Sequence, residues 1–259
     1  MPTANGTPTG RSSRAATGST VDDQRRPGRQ EAADAAERVR DALRRGWYWG
    51  ADYRWITRAF GHGFIRRDVP HGYGHGWLNP VLLIPGVMEE WTVMRPVADR
   101  LNSAGHPVHV LPDLKRNMIT VTEGAVLASA YLAAQDLRDV AIVAHSKGGL
   151  IGKQVLLDDA ERRVRRLVAI ATPFSGSVLA RLVPSRTVRA MSPDDATIVA
   201  LGDRAEVNHL ITSICPAFDP HIPTGSHLEG ATNIPVAAMG HFRVLSDPEV
   251  LAAVLDAAR

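Results

Sequence analysis

Cysteine is almost missing from this chain: among 259 residues only Cys215 carries a thiol. A single thiol excludes an intramolecular disulfide, so the fold has to hold without an oxidising compartment. Long apolar runs are missing too. No stretch reaches the ~20 consecutive apolar residues that a membrane-spanning helix needs. The first residues also lack the apolar segment of about 7–15 residues that marks a secretory signal. A cytoplasmic location is therefore the expectation, and a start placed further upstream would leave secretion open. An excess of one charge is absent from most of the chain. The formal net charge is +3, and residues 1–30 account for it with five arginines against two aspartates. The remainder holds 25 basic and 25 acidic residues, which leaves no electrostatic footprint for a nucleic-acid partner. No internal repeat at a period of about 20–50 residues is visible, so a solenoid is not expected.

What is present divides into three stretches. Residues 1–29 are rich in Thr, Ser, Gly, Pro and Arg with almost no apolar content, the composition of a disordered tail. Residues 30–78 form a helical, aromatic-rich extension. It begins with Glu31-Ala-Ala-Asp-Ala-Ala-Glu-Arg-Val-Arg, a good helix composition, and continues into Trp47, Tyr48, Trp49, Tyr53, Trp55, Phe60 and Phe64. Two roles fit it: packing its aromatics on the main domain or on a second copy, or lying amphipathically on a lipid surface with arginines flanking the rings. From residue 79 to 259 short apolar runs alternate with helical patterns. Strands are expected at 81–84, 107–111, 140–144, 166–171, 208–215 and 234–239. Helices are expected near 91–104, near 122–135, directly after Ser146, and at 247–258. Regular alternation implies a mainly parallel sheet covered by helices on both faces.

The chemistry concentrates at Asp139-Val-Ala-Ile-Val-Ala-His-Ser-Lys-Gly-Gly-Leu150. A short apolar strand runs into a tight turn centred on Ser146 and leaves it through Gly148 and Gly149 into a helix. A serine on such a turn projects its hydroxyl away from the backbone, beside the first N–H groups of the new helix. On its own the string also reads as a polar turn. Downstream, Asp219 lies in Pro216-Ala-Phe-Asp-Pro-His-Ile-Pro, just past an expected strand, where open α/β sheets place functional groups. Asp219-Pro220 is equally a turn initiator. Asp194 and Asp195 are rival acids, although Ser192-Pro-Asp-Asp reads as a helix start. His241 follows the last expected strand and precedes a helix opened by Ser246-Asp-Pro-Glu249, which reads as a capping box. His71 and His75 sit in a glycine-rich stretch with no matching carboxylate or thiol set, so no metal site is expected. With a serine available, Cys215 reads as a packed small residue.

Ala144-His145-Ser146-Lys147-Gly148, with Ala in place of the first glycine of G-x-S-x-G, resembles the nucleophile elbow of the α/β-hydrolase superfamily, in particular small bacterial lipases and esterases. The resemblance covers roughly residues 79–259. It implies an α/β-hydrolase fold with chain order serine, acid, histidine, and so a catalytic set of Ser146, Asp219 and His241. It also implies an oxyanion hole made by the backbone N–H of Val87, after Pro85-Gly86, and the N–H of Lys147. Thr172-Pro-Phe-Ser-Gly-Ser resembles a lipase loop near the acyl pocket. Phe174 in that loop, His145 because it flanks Ser146, and Met88 are expected to face the substrate.

The expected activity is hydrolysis of carboxylic esters through an acyl-enzyme on Ser146, with a small-molecule acyl ester as partner and no metal or organic cofactor. Residues 178–207 are long enough for a small lid and too short for a large cap domain, which points to short- or medium-chain acyl groups. The same apparatus serves a thioesterase or an acyltransferase. A non-catalytic surface-binding protein on a hydrolase scaffold is the alternative from another class.

Overall fold

The computed structural model describes residues 26–65 and 68–259. Of the tail expected over 1–29, residues 1–25 lie outside the described residues. The chain forms two compact units, Met1–Arg44 and Arg45–Arg259. Helix α1 runs from Arg26 to Ile65, and the larger unit, which carries the sheet, takes in α1 from Arg45 onward.

Six strands make one sheet: β1 (Val81–Ile84), β2 (Val108–Val110), β3 (Val140–His145), β4 (Val164–Ile170), β5 (Ile211–Phe218) and β6 (Thr232–Met239). Their spatial order is β2-β1-β3-β4-β5-β6, and every neighbouring pair is parallel. Between them lie α2 (Arg95–Ser103), α3 (Val121–Ala134), α4 (Lys147–Asp158), two short helices α5 (Arg186–Arg189) and α6 (Ala196–Asp203), and finally α7 (Pro248–Ala258). Among the described residues no helix is long and apolar enough to cross a membrane.

The period of two along each strand sorts the core into two layers. Val81 and Leu83 of β1 face one side, where Val97 and Leu101 of α2 and Val250 and Val254 of α7 close over them. Leu82 and Ile84 face the other, against Ala125 and Leu132 of α3, Leu150 and Ile151 of α4 and Ile198 of α6. Central β3 is buried along its whole length, which is why it reads as an unbroken apolar run. Ile56 of α1 is 4% exposed and belongs to the first layer, with Trp55, Ala59 and Phe60 packed at its edge.

Two local expectations are corrected. Strand β5 does not begin at Asn208. A 3₁₀ turn occupies Asn208–Leu210, fixed by the buried Asn208 amide donating to Glu229 O at 2.8 Å. The strand then runs on through Pro216. Proline is tolerated there because pairing with β4 has ended at Ile214, so no ladder bond is lost on that side. The second correction concerns α7. Its N-cap is Asp247, whose carboxylate accepts Glu249 N–H at 3.0 Å, with Pro248 opening the helix. The Ser246–Glu249 capping box does not form, because the Glu249 carboxylate accepts Ala237 N–H of β6 at 2.9 Å. Ser246 Oγ donates to Arg243 O instead.

Burial of Ile56 predicts that Ile56→Ala lowers stability by about 2–5 kcal/mol, the range for emptying a packed aliphatic site. Chemical denaturation of the full chain checks this. An unchanged midpoint would mean that α1 does not contribute to the core.

Candidate active site

Ser146 occupies the turn between β3 and α4 with φ 51° and ψ −125°. For a residue with a Cβ this is a strained backbone state, kept only where the surroundings over-determine it. Three glycines show how close those surroundings come. A Cβ on Gly148 would sit 2.1 Å from Ile84 O, one on Gly149 2.0 Å from Thr172 Oγ1, and one on Gly86 3.0 Å from Ser146 Cβ. The ends of β1, β3 and β4 therefore converge on the turn with no room for side chains. Ser146 N–H donates to Ile170 O at 2.9 Å, and Thr172 Oγ1 donates to Ser146 O at 3.0 Å. The turn is pinned at both peptide groups.

Strands β3, β5 and β6 each deliver one polar side chain just past their carboxyl ends: Ser146, Asp219 and His241. His241 Nε2 lies 3.0 Å from Ser146 Oγ, and His241 Nδ1 lies 2.7 Å from Asp219 Oδ2. All three side chains are buried. With Nδ1–H donating to the carboxylate, Nε2 is left as the acceptor for the serine hydroxyl, which is the tautomer a general base needs. The other Asp219 oxygen accepts the N–H groups of His221 and Ile222 at 2.8 and 3.1 Å. Asp194 instead pairs with Arg181, and Asp195 caps α6.

The electrostatics follow from this contact set. Burial would raise the Asp219 pKa, but the charge and hydrogen bond of His241 and the His221 N–H hold it below the ordinary carboxylate value. For His241, burial works against the imidazolium. The charge and hydrogen bond of Asp219, with Glu89 and Asp52 behind them, outweigh it and raise the pKa above the ordinary 6.5. His221 stacks on His241 with ring centroids 4.8 Å apart. Burial, then the neighbouring His241 charge, pushes its pKa down to about 4. His221 is therefore neutral at physiological pH.

The loop after β1 reaches the same point. Neither Val87 N–H nor Lys147 N–H has an acceptor among the described residues. The Lys147 side chain turns away from the serine. Its ammonium is buried and donates to Asn117 O, Asn117 Oδ1 and Ile119 O. Asn117 Nδ2 in turn donates to Pro85 O at 2.7 Å, so one lysine and one asparagine tie the first turn of α4 to the loop after β1. Burial brings the Lys147 pKa down to about 8, with Glu123 opposing.

Of the residues expected to face substrate, Met88 is exposed beside Val87, whereas Phe174 is packed into the second core layer. His145 requires correction. It is wholly buried, with Nδ1 2.9 Å from both Glu89 oxygens and Nε2 2.9 Å from His241 O. A carbonyl oxygen only accepts, so Nε2 carries a proton, and His145 acts as a strut between the loop after β1 and the loop after β6. Glu89 also accepts Gly86 N–H at 2.8 Å. Glu89, His145 and His241 lie close enough to suggest a metal cluster. Their nitrogens are already engaged with Glu89, His241 O, Asp219 and Ser146, and an ion would have to break those bonds. Asp52, Glu89 and Asn117 carry no functional signal in the sequence. Asp52 stands in the aromatic-rich stretch with Arg54 as its one charged near neighbour, Glu89 is followed by Glu90, and only their burial reveals them.

No protein-family model matches the chain. No curated protein matches it either. Solved structures do. The chain superposes on a Bacillus licheniformis lipase in mature form with a TM-score of 0.59 at 15% identity, over 69% of this chain and 91% of that one. An α/β-hydrolase fold protein from Burkholderia ambifaria gives 0.54 at 18%, over 70% and 91%. The N-formylmaleamic acid deformylase of Pseudomonas putida gives 0.52 at 18%, over 70% and 94%. The chain has the α/β-hydrolase fold.

Gly148→Ala would set a methyl against the Ile84 carbonyl and displace the elbow. Displacement by about 1 Å is expected to slow labelling of Ser146 by a fluorophosphonate probe by roughly tenfold to 100-fold. Labelling at the wild-type rate would show that the turn accommodates a side chain after all.

Proposed function

We propose that this protein is a serine hydrolase that cleaves carboxylic esters through an acyl-enzyme. The observation that carries the reading is the continuous contact Ser146 Oγ–His241 Nε2 and His241 Nδ1–Asp219, set at a strained strand-to-helix turn. A serine hydroxyl is a weak nucleophile until a base takes its proton, and this contact supplies the base and its orienting carboxylate. His241 Nε2 takes the proton as Ser146 Oγ bonds to the ester carbonyl carbon. The oxyanion accepts from Val87 N–H and Lys147 N–H, each donor being worth about 3–4 kcal/mol in comparable sites. The tetrahedral adduct collapses, the carbon–oxygen bond to the alcohol breaks, and His241 returns the proton to the departing oxygen. Water then attacks the acyl-enzyme with His241 again as base, releasing the acid and restoring the Ser146 hydroxyl. Asp219 holds the imidazole tautomer and stabilises the imidazolium.

A short- to medium-chain acyl group is the preferred substrate in this reading. The insertion between β4 and β5 is compact, made of two short helices and turns. Thr187 Oγ1 donates to Met118 O, Ser177 Oγ to His221 O and Thr224 Oγ1 to Gly176 O, which ties it to neighbouring loops.

The reading is tested with p-nitrophenyl acetate, butyrate, octanoate and palmitate, comparing wild type with Ser146→Ala. Turnover is expected to peak at the shorter chains and to fall by about 10³-fold or more in the variant. Equal turnover by a folded Ser146→Ala protein would remove Ser146 from the mechanism, and activity confined to palmitate would contradict the chain-length reading.

The pH profile gives a second test. The base works only when neutral, and its pKa is raised, so kcat/KM should climb with pH through a midpoint above 6.5. A rate that stays flat from about pH 5 to about pH 8, the span over which an imidazole titrates, would exclude His241 as the base.

A further inference from the structure

Outside the Ser146–His241–Asp219 contact, the most unusual group in the molecule is a carboxylate on α1. Asp52 is fully buried, 189 positions from His241 in sequence. Its Oδ2 accepts His241 N–H at 3.0 Å, and its Oδ1 accepts Phe242 N–H and Arg243 N–H, each at 2.9 Å. Three successive peptide N–H groups thus converge on one carboxylate, a backbone nest closed around an anion. Gly240 is shaped to allow it. Its φ is +110°, and a Cβ there would stand 2.7 Å from Asp52 Oδ1.

Burying an aspartate without partners is costly, and charge-assisted hydrogen bonds to a carboxylate are among the stronger ones available. The nest therefore has a sharp energetic preference for the one backbone path that aims all three N–H groups inward. That path is the one that carries His241. The other end of the same residue's backbone is also held, since His145 Nε2–H donates to His241 O. All four polar atoms of His241 are engaged, two by Ser146 and Asp219 and two by side chains that fix its main chain.

Helical spacing extends the contact. Trp49, Asp52, Tyr53 and Ile56 fall on one face of α1. Trp49 stacks on His221 at 5.9 Å and 15°, and His221 stacks on His241 at 4.8 Å and 19°. Tyr53 meets His221 at 5.7 Å and Phe242 at 6.4 Å. One helix face thus braces the His241 loop by hydrogen bonds and braces the imidazole through a stack of rings.

We propose that Asp52 is a positioning residue for the reaction: by holding the Gly240–Arg243 loop, it sets His241 in line between Asp219 and Ser146. In this role the aromatic-rich helix is part of the machinery rather than an appendage. The kinetic consequence rests on the serine-hydrolase reading. The structural consequence, the quality of the Asp219–His241 hydrogen bond, can be read without any substrate.

The test compares full-length wild type with Asp52→Ala and Asp52→Asn. Asn keeps the volume and one acceptor oxygen, but its NH₂ would face a backbone N–H, so it should fall between wild type and Ala. The first readout is the far-downfield proton resonance of His241 Nδ1–H. It should weaken or vanish in Asp52→Ala, with thermal unfolding still cooperative. The second is turnover of the best p-nitrophenyl ester. We expect kcat to fall by roughly tenfold to 100-fold in Asp52→Ala, with KM within about twofold, because what is lost is the aim of the base and not substrate binding.

The third readout is the acid limb of kcat/KM. His241 faces Asp219 and His221 from the loop after β5, Glu89 from the loop after β1, His145 from β3 and Asp52 from α1. Removing one of the negative charges should move the limb to lower pH.

A folded Asp52→Ala protein with an unshifted downfield proton and wild-type kcat overturns the proposal, as does a rise in KM alone. If Asp52→Ala does not fold, the isosteric Asp52→Asn decides by the same criteria. Wild type with no ester turnover would sink the ester reading without touching this one, which then stands or falls on the downfield proton.

Discussion

The proposed site is built on one strained turn. Ser146 holds a backbone state that costs free energy for any residue bearing a Cβ. The turn persists because its flanking peptides are bonded to β4 and to Thr172, and because Gly86, Gly148 and Gly149 let three strand ends close on it. Strain of this kind orients the Ser146 hydroxyl and leaves the first N–H of α4 without an acceptor among the described residues. The parallel sheet provides the force behind it. With both faces of β3 buried, the strand cannot slide or twist to relieve the turn.

A second constraint is electrostatic. Asp219, Glu89 and Asp52 are three carboxylates buried within reach of one imidazole. Buried charge is tolerated only when its hydrogen-bonding capacity is met, and each carboxylate meets it chiefly with backbone N–H groups or histidine. Asp219 takes two N–H groups and His241, Glu89 takes Gly86 N–H and His145, and Asp52 takes three consecutive N–H groups. The negative field they produce favours the imidazolium, the species that a serine-hydrolase cycle forms and discharges twice.

Much of this is legible in the residues alone. The apolar run Val140–Ala144 followed by Ser146 and two glycines announces strand, turn and helix, because burial on both faces and close backbone approach each leave a residue-type signature. The positions of Asp219 and His241 are readable because each follows an expected strand, in the serine, acid, histidine order that the resemblance implies. The long-range partners are not. Asp52 sits among aromatic residues two positions before Arg54, and Glu89 stands in a pair of acids; neither neighbourhood names the distant backbone groups that each carboxylate binds. His145 looks like a cleft residue because it precedes Ser146, yet alternation along β3 turns it inward toward Glu89. Capping at α7 is displaced by one residue, since the competing partner for Glu249, the Ala237 N–H of β6, is invisible in a local window.

The distance in sequence between Asp52 and the loop it holds has a consequence for how the molecule is made. At synthesis rates of about 5–20 residues per second, the carboxylate is present for roughly 10–40 s before the peptide N–H groups it needs have been assembled. Until then the helix face carrying it has a charge that cannot be buried, and Ile56 beside it has no closed layer to enter. Asp52 can be satisfied only once the Gly240–Arg243 loop has been made, and the layer that Ile56 enters waits further for Val250 and Val254 of α7. A nascent chain stopped short of Gly240 would lack both.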